Sequence, residues 1–245
     1  MIEAPRRRHA GLILLATVVG VAATLRLGFW QLDRAAQKVA IQARIEARRT
    51  LPALGNAELA TTTPAAAQQH ERRAELHGRW RPRQTVYLDN RQMGGRPGFY
   101  VVTPLLLEGR PEAVLVQRGW IARNFADRAA LPPVPTPAGP VLVAGVIAPP
   151  PARLYEFAAA ASGPIRQNLD LDAYARESGL TLLPLSILQH DLTGLAADGL
   201  RRDWPLPALD LQKHYGYAFQ WFALAALMAG LYVWFQWPRP RRPHD

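Results

Sequence analysis

No cysteine occurs among the 245 residues. The chain therefore forms no disulfide, offers no thiolate nucleophile, and holds neither a zinc–thiolate site nor a cysteine-ligated iron–sulfur cluster. A transition metal would have to be held by the six histidines or by carboxylates. The missing thiol does not choose a compartment, because such a chain is equally at home in a reducing cytosol and an oxidising periplasm. Lysine is nearly absent: of 29 basic residues only Lys38 and Lys213 are not arginine, and with 19 acidic residues the formal charge is +10. That charge does not indicate nucleic acid, because the arginines scatter from Arg6 to Arg242 instead of clustering among aromatics, and the Arg-, Ala- and Pro-rich usage suits a GC-rich coding sequence. Also missing are HExxH, GxSxG, a Gly-rich phosphate loop, GxGxxG and any suggestive pair of carboxylates, so no enzyme class is indicated. A chain of this length that is 49% hydrophobic is too apolar for disorder and holds one domain or two small ones.

What the chain does have is two long apolar runs. Ala10 to Leu25 is uncharged, and Leu27-Gly28-Phe29-Trp30 extends it past Arg26, giving about 20 residues with Arg26 snorkelling. Tyr215 to Trp237 is uncharged throughout and, at about 1.5 Å per residue, covers about 34 Å as a helix. Tyr215, Tyr217 and Trp221 at one end and Tyr232, Trp234 and Trp237 at the other suit the two membrane interfaces. For the first run a cleaved signal peptide is the competing reading, with Arg6, Arg7 and Arg8 as its basic region and Ala22-Ala23 as small residues for cleavage. Against it, the run is longer than a signal core, and LGFWQLDRAAQK continues as helical sequence. The basic tails (Arg6 to Arg8; Arg239, Arg241, Arg242) place both termini in the cytoplasm, and the long central segment is discounted by the charge rule.

The expected organisation is a cytoplasmic tail over 1–9, a transmembrane helix over 10–30, a periplasmic α+β domain with a helical stalk over 31–213, a second transmembrane helix over 214–237 and a cytoplasmic tail over 238–245. Leu32, Ala35, Val39, Ile41 and Ile45 give the stalk a mostly helical period, and the Ala/Thr/Pro-rich stretch Leu54 to Gln69 reads as a loop. Beyond Arg72, β-favouring stretches fall at Ala74–Trp80, Thr85–Asn90, Tyr100–Leu107, Ala113–Arg118, Val141–Ile147 and Leu182–Gln189, predicting an antiparallel sheet or a small open barrel. Gly94 to Gly98 reads as a loop, Glu108 to Pro111 as a tight hairpin connection, and Pro132 to Pro140 as a stiff exposed one. Asp170 to Gly179 is a helix with an acidic start and a glycine stop. Asp89-Asn90-Arg91 reads as a strand-end turn with a local salt bridge.

His214 stands at the mouth of the second run, with Tyr217, Ala218 and Trp221 at helical spacings on its face. It is either a structural interfacial residue or an axial ligand to haem iron, which needs an imidazole, an apolar slot with aromatic walls and cations for its propionates. Arg26 is either such a propionate partner, if it shares the depth of His214, or a residue snorkelling to headgroups. His9, His70, His77, His190 and His244 show no ligand spacing and read as surface residues.

LGFWQLDRAAQK at 27–38, LDNR at 88–91, PGFYVVTPL at 97–105, VLVQRGW at 114–120, RDWPLP at 202–207 and KHYGYAFQWF at 213–222 together resemble the surfeit locus family of cytochrome c oxidase assembly factors. The likeness runs in order along almost the whole chain, with Gln117 standing where the family often has asparagine. It implies an inner-membrane, non-enzymatic assembly factor that helps deliver haem a to the catalytic subunit of an a-type oxidase, with haem a synthase a further partner beside the bilayer. It also implies that His214 contacts the haem iron, with Tyr217, Trp221 and Phe222 as aromatic neighbours, and that Arg118, Gly119 and Trp120 shape a strand end or a docking surface. The alternative is a scaffold or chaperone that stabilises the nascent oxidase subunit and binds no haem.

Overall fold

The structure, a computed structural model, describes residues 4–124, 131, 133–155, 163–191, 198–205 and 211–236, without the side chains of 4–9. Pro132, Trp237 and the tail with Arg239, Arg241, Arg242 and His244 lie outside the described residues. The chain packs as two units: residues up to Arg44 with those from Pro207 onward, and Ile45–Leu206.

The first unit is built on two helices long and apolar enough to cross a membrane. Helix α1 runs unbroken over Ala4–Arg49, and the C-terminal helix, α4 in chain order, spans Leu211–Gln236. Neither has an interior proline, and both are rich in Ala and Leu, so nothing stops the ladder of hydrogen bonds. Their outer surface is apolar: Leu12 is 65% exposed and Phe219 73%, a surface that suits lipid and not water. The side chains that are covered form a stripe on each helix. On α1 these include Val21, Thr24, Gly28, Gln31, Ala35 and Lys38; on α4 they include Leu211, His214, Ala218, Trp221, Ala225, Met228 and Tyr232, with Phe222 beside them. Both stripes step by three and four residues, the spacing of a two-helix seam. Small residues at the seam let the backbones approach. A Cβ on Gly28 would lie 2.6 Å from the Phe222 ring, and one on Gly20 would lie 3.3 Å from Met228 Sδ. The apolar period expected for the stalk is displaced, since Val39 and Ile41 are exposed while Gln31 and Lys38 are partly covered.

The second unit is a mixed sheet. Its strands are β1 (Arg73–Trp80), β2 (Val86–Met93), β3 (Arg96–Leu107), β4 (Ala113–Ala122), β5 (Pro140–Ala148), β6 (Ile165–Arg166) and β7 (Leu182–Gln189). The pairings β1–β5–β7–β4–β3 return to β1 through Gly78↔Leu107 to Trp80↔Leu105, closing a five-stranded barrel. β2 and β6 extend from β3 outside the ring. Two pairings, β4–β7 and β2–β6, are parallel, where alternation alone had suggested antiparallel neighbours. The chain leaves β4 at Ala122 and passes through β5 and β6 before β7 enters beside it at Leu182, the crossover that a parallel neighbour requires. β1 alternates exposed and buried along its whole length, whereas β4 is buried from Ala113 to Trp120 on both faces. Val114 and Val116 fill the barrel with Leu76, Leu105, Leu185 and Ile187; Leu115 faces a second cluster with Leu88, Val102 and Tyr174.

Helix α2 (Thr63–Gln69) and a short 3-10 turn at Asn56–Glu58 replace the loop expected over 54–69; Pro64 occupies the first turn and Ala66 is buried against the barrel. Helix α3 (Leu171–Ser178) matches its sequence signals: Asp170 accepts from the Ala173 N–H, and Gly179 closes it at φ +67°. Only Gly94 and Gly95 turn the β2–β3 hairpin, so Arg96 to Gly98 belong to the strand.

Candidate functional site

His214 sits at a seam position of α4, half-covered, with its Nδ1 2.7 Å from Oε1 of Gln31 on α1. A carboxamide oxygen accepts, so Nδ1 is the donor in this contact and Nε2 is the nitrogen that Gln31 does not engage. Apart from Lys38 toward the stalk, the rest of this seam is lined by apolar, aromatic and small side chains. Gln31 was missed from sequence because its importance lies in a contact between residues far apart in the chain; the step of three from Gly28 was the available signal.

The other expected site residues divide around this pair. Trp221 is half-buried about two turns further along α4, and Tyr217 is on the same flank but 53% exposed. Phe222 lies on the opposite flank and is engaged in helix packing: its ring covers Gly28 and meets Phe29 edge-on, with centroids 5.2 Å apart. Arg26 is not brought to His214. Two residues from both Thr24 and Gly28, it is turned about 200° from the seam and is exposed; five residues before Gln31, it lies about 7.5 Å further along α1. Among the described residues no three His, Asp or Glu side chains gather into a metal-binding group.

In the barrel, the sequence landmarks are interior. Arg118 is 2% exposed, donates to Thr136 Oγ1 and Pro135 O, pairs with Asp198 and stacks 4.9 Å from the Trp80 ring. Trp120 is equally buried and its indole N–H donates to Arg91 O. The two side chains therefore order the domain's inside and are not a docking surface. Gln117 donates to Ser186 Oγ, tying β4 to β7. Asp89-Asn90-Arg91 is a bulge within β2, not a strand-end turn: Asn90 has φ +59°, Asp89 pairs with the distant Arg123, and buried Arg91 donates to Ala152 O and Gln167 O. Segment 198–205 lies across β4, with the Trp120 N–H donating to Arg201 O and the Arg201 N–H to Trp120 O.

His70, expected at the surface, is partly buried, whereas His190 is exposed as expected. Desolvation pushes both imidazoles below their ordinary value of 6.5; at His190 the nearby Arg49 and Arg202 act in the same sense and Asp191 opposes. A histidine depressed in the fold contributes stability that is present above 6.5 and lost as pH falls through its lowered folded value. The full chain in detergent, melted between about pH 7 and pH 5 with tryptophan fluorescence as readout, should lose stability, and His70→Gln should lose less of it. Parallel losses in both proteins would remove His70 from the account.

A family model described as the SURF1 family matches residues 18–226. A SURF1-like protein of Rickettsia bellii (strain RML369-C) is 28% identical over 220 residues, 84% of this chain and 83% of that protein. SURF1-like proteins of Rickettsia felis and Rickettsia conorii are 30% identical over 113 residues and 31% over 103; these matches cover 46% and 40% of those proteins.

Proposed function

The chain belongs to the SURF1 family, a family of oxidase assembly factors, and from that membership we propose that it helps place haem a in the catalytic subunit of an a-type cytochrome c oxidase. It works in a bacterial inner membrane, with both termini cytoplasmic and the barrel in the periplasm, and catalyses no covalent change. Haem a synthase, upstream, and the oxidase subunit, downstream, are its partners.

The observation that carries this reading is the half-covered imidazole of His214, held through Nδ1 by Gln31 with Nε2 left for another partner. Haem, if held here, would supply an iron that an imidazole can ligate, and His214 would be the residue to do so. The residues present fit that need. Gln31 fixes ring orientation and tautomer, as outer partners of metal-bound histidines do, and Trp221 and Tyr217 give an aromatic flank beside the ring. Phe222 contributes indirectly, by setting the approach of the helices at Gly28. Arg26, on the far side of α1, is left to the lipid headgroups. A second reading has its own support: a polar pair in an apolar seam also fixes the register of two helices, and then His214 and Gln31 serve a scaffold that binds no haem.

The visible spectrum of the full chain purified from a host that makes haem a, beside His214→Ala prepared identically, separates the two. A haem a band that is lost or shifted in the variant supports haem handling at His214. Haem absent from both, while a known haem protein from the same cells retains it, leaves the scaffold. Haem held equally by both moves the ligand elsewhere.

A further inference from the structure

We infer that the end of the helix pair remote from His214 is a binding groove for one anionic phospholipid. Beyond Gly20 and Met228 the α1–α4 seam opens into a groove of ≈ 450 Å³ lined mainly by apolar side chains, among them Ile13, Ala16, Leu231 and Phe235. From Met228 to Gln236 it follows about 12 Å of helix, most of one leaflet's roughly 15 Å of hydrocarbon, so a single acyl chain lying along the seam fits its length. Tyr232 and Gln236 bring a hydroxyl and an amide to the groove. What selects the headgroup is charge. Arg6, Arg7 and Arg8 precede Ile13 on the same helix by five to seven residues, about 8–10 Å along its axis. Three arginines on the helical turns that precede the groove complement a phosphate that carries net negative charge, and they discriminate against a zwitterionic headgroup. A helix from a partner protein would fill the apolar part equally well but would make no use of the arginines.

Native mass spectrometry of the full chain released from nanodiscs holding equal amounts of phosphatidylglycerol and phosphatidylcholine reads both the number and the kind of retained lipids. One retained lipid is expected, phosphatidylglycerol over phosphatidylcholine by about tenfold or more, since each basic residue near an anionic surface contributes about fivefold. Ala16→Phe, which fills the groove, should lose the lipid while keeping the helical circular dichroism. The triple change R6Q/R7Q/R8Q should keep one lipid and lose the preference; both faces of the disc are alike, so it cannot act through topology. No headgroup preference in the unaltered chain, a lipid retained by Ala16→Phe, or a second protein copy released in place of the lipid would each overturn the assignment. If Ala16→Phe loses its helical signal, the arginine triple decides alone.

Discussion

If His214 ligates haem as proposed, a Gln31→Leu variant is expected to hold haem a about 10- to 100-fold more weakly than the unaltered chain, the usual effect of removing the outer partner of a metal-bound histidine, and His214→Ala should lose or shift the band. Leucine suits the seam in size and polarity, so the helix pair survives the change. What it loses is the acceptor 2.7 Å from Nδ1. The imidazole is then free to rotate and to put its proton on either nitrogen, and only one tautomer offers the nitrogen facing a ligand. Gln31→Glu is the informative companion: it keeps an acceptor, and the added negative charge strengthens the ligand. A titration of haem a into the three detergent-solubilised proteins, followed by absorbance, gives the order expected: Glu at least equal to Gln, then Leu. Equal affinity for Gln and Leu would mean that Gln31 only pins the register of the helices.

The second large effect is on stability. Gly119 lies in β4 under the segment 198–205, and a Cβ there would stand 2.6 Å from Leu200 Cβ and 2.9 Å from Arg201 O. Both neighbours are held: Arg201 exchanges two backbone hydrogen bonds with Trp120, and Asp198 takes ion pairs from Arg118 and Arg202. The crossing segment must therefore lift off the strand, and Gly119→Ala should destabilise the domain by about 3 kcal/mol, the upper range for overfilling a packed site. In melting temperature this is roughly 5–10 °C. Gly139→Ala, where an added Cβ meets nothing within 4 Å, is the control and should shift by no more than about 0.5 kcal/mol. Near-ultraviolet circular dichroism, which senses the buried Trp120, follows both; equal melting of the two variants would show that the segment gives way freely.

Local signals in the sequence carried much of this architecture. Alternation marked β1, β7 was bounded at Leu182 and Gln189, and Asp170 and Gly179 marked the ends of α3, because these signals reside in the residues themselves. What was not legible depends on distant partners. β6 is two residues long and exists only through its pairing with Tyr87 and Leu88. The parallel entry of β7 beside β4 leaves no trace in either strand, and β4, buried on both faces, has no alternation to read. At the site, His214, Trp221 and Tyr217 were visible as neighbours on one helix, whereas the place of Gln31 in the seam and of Arg26 outside it emerge only when α1 is laid against α4. Asp89 and Arg91 looked local because they are adjacent, yet each finds its partners dozens of residues away.

The ring of five strands sets an order of events during synthesis. β7 stands between β5 and β4, so the barrel cannot close until Gln189 has left the ribosome, although β1 to β5 are complete by Ala148. From Gln189 to Leu211, where α4 begins, synthesis takes roughly 1–4 s at about 5–20 residues per second. Closure of the barrel and emergence of the second span thus fall within the same few seconds. Before that interval the nascent chain carries two unpaired strand edges on β4 and β5, the surfaces most prone to association with other chains. A translational pause just before Leu182 is the point at which this protein is most exposed to aggregation, and a pause after Gln189 is comparatively harmless.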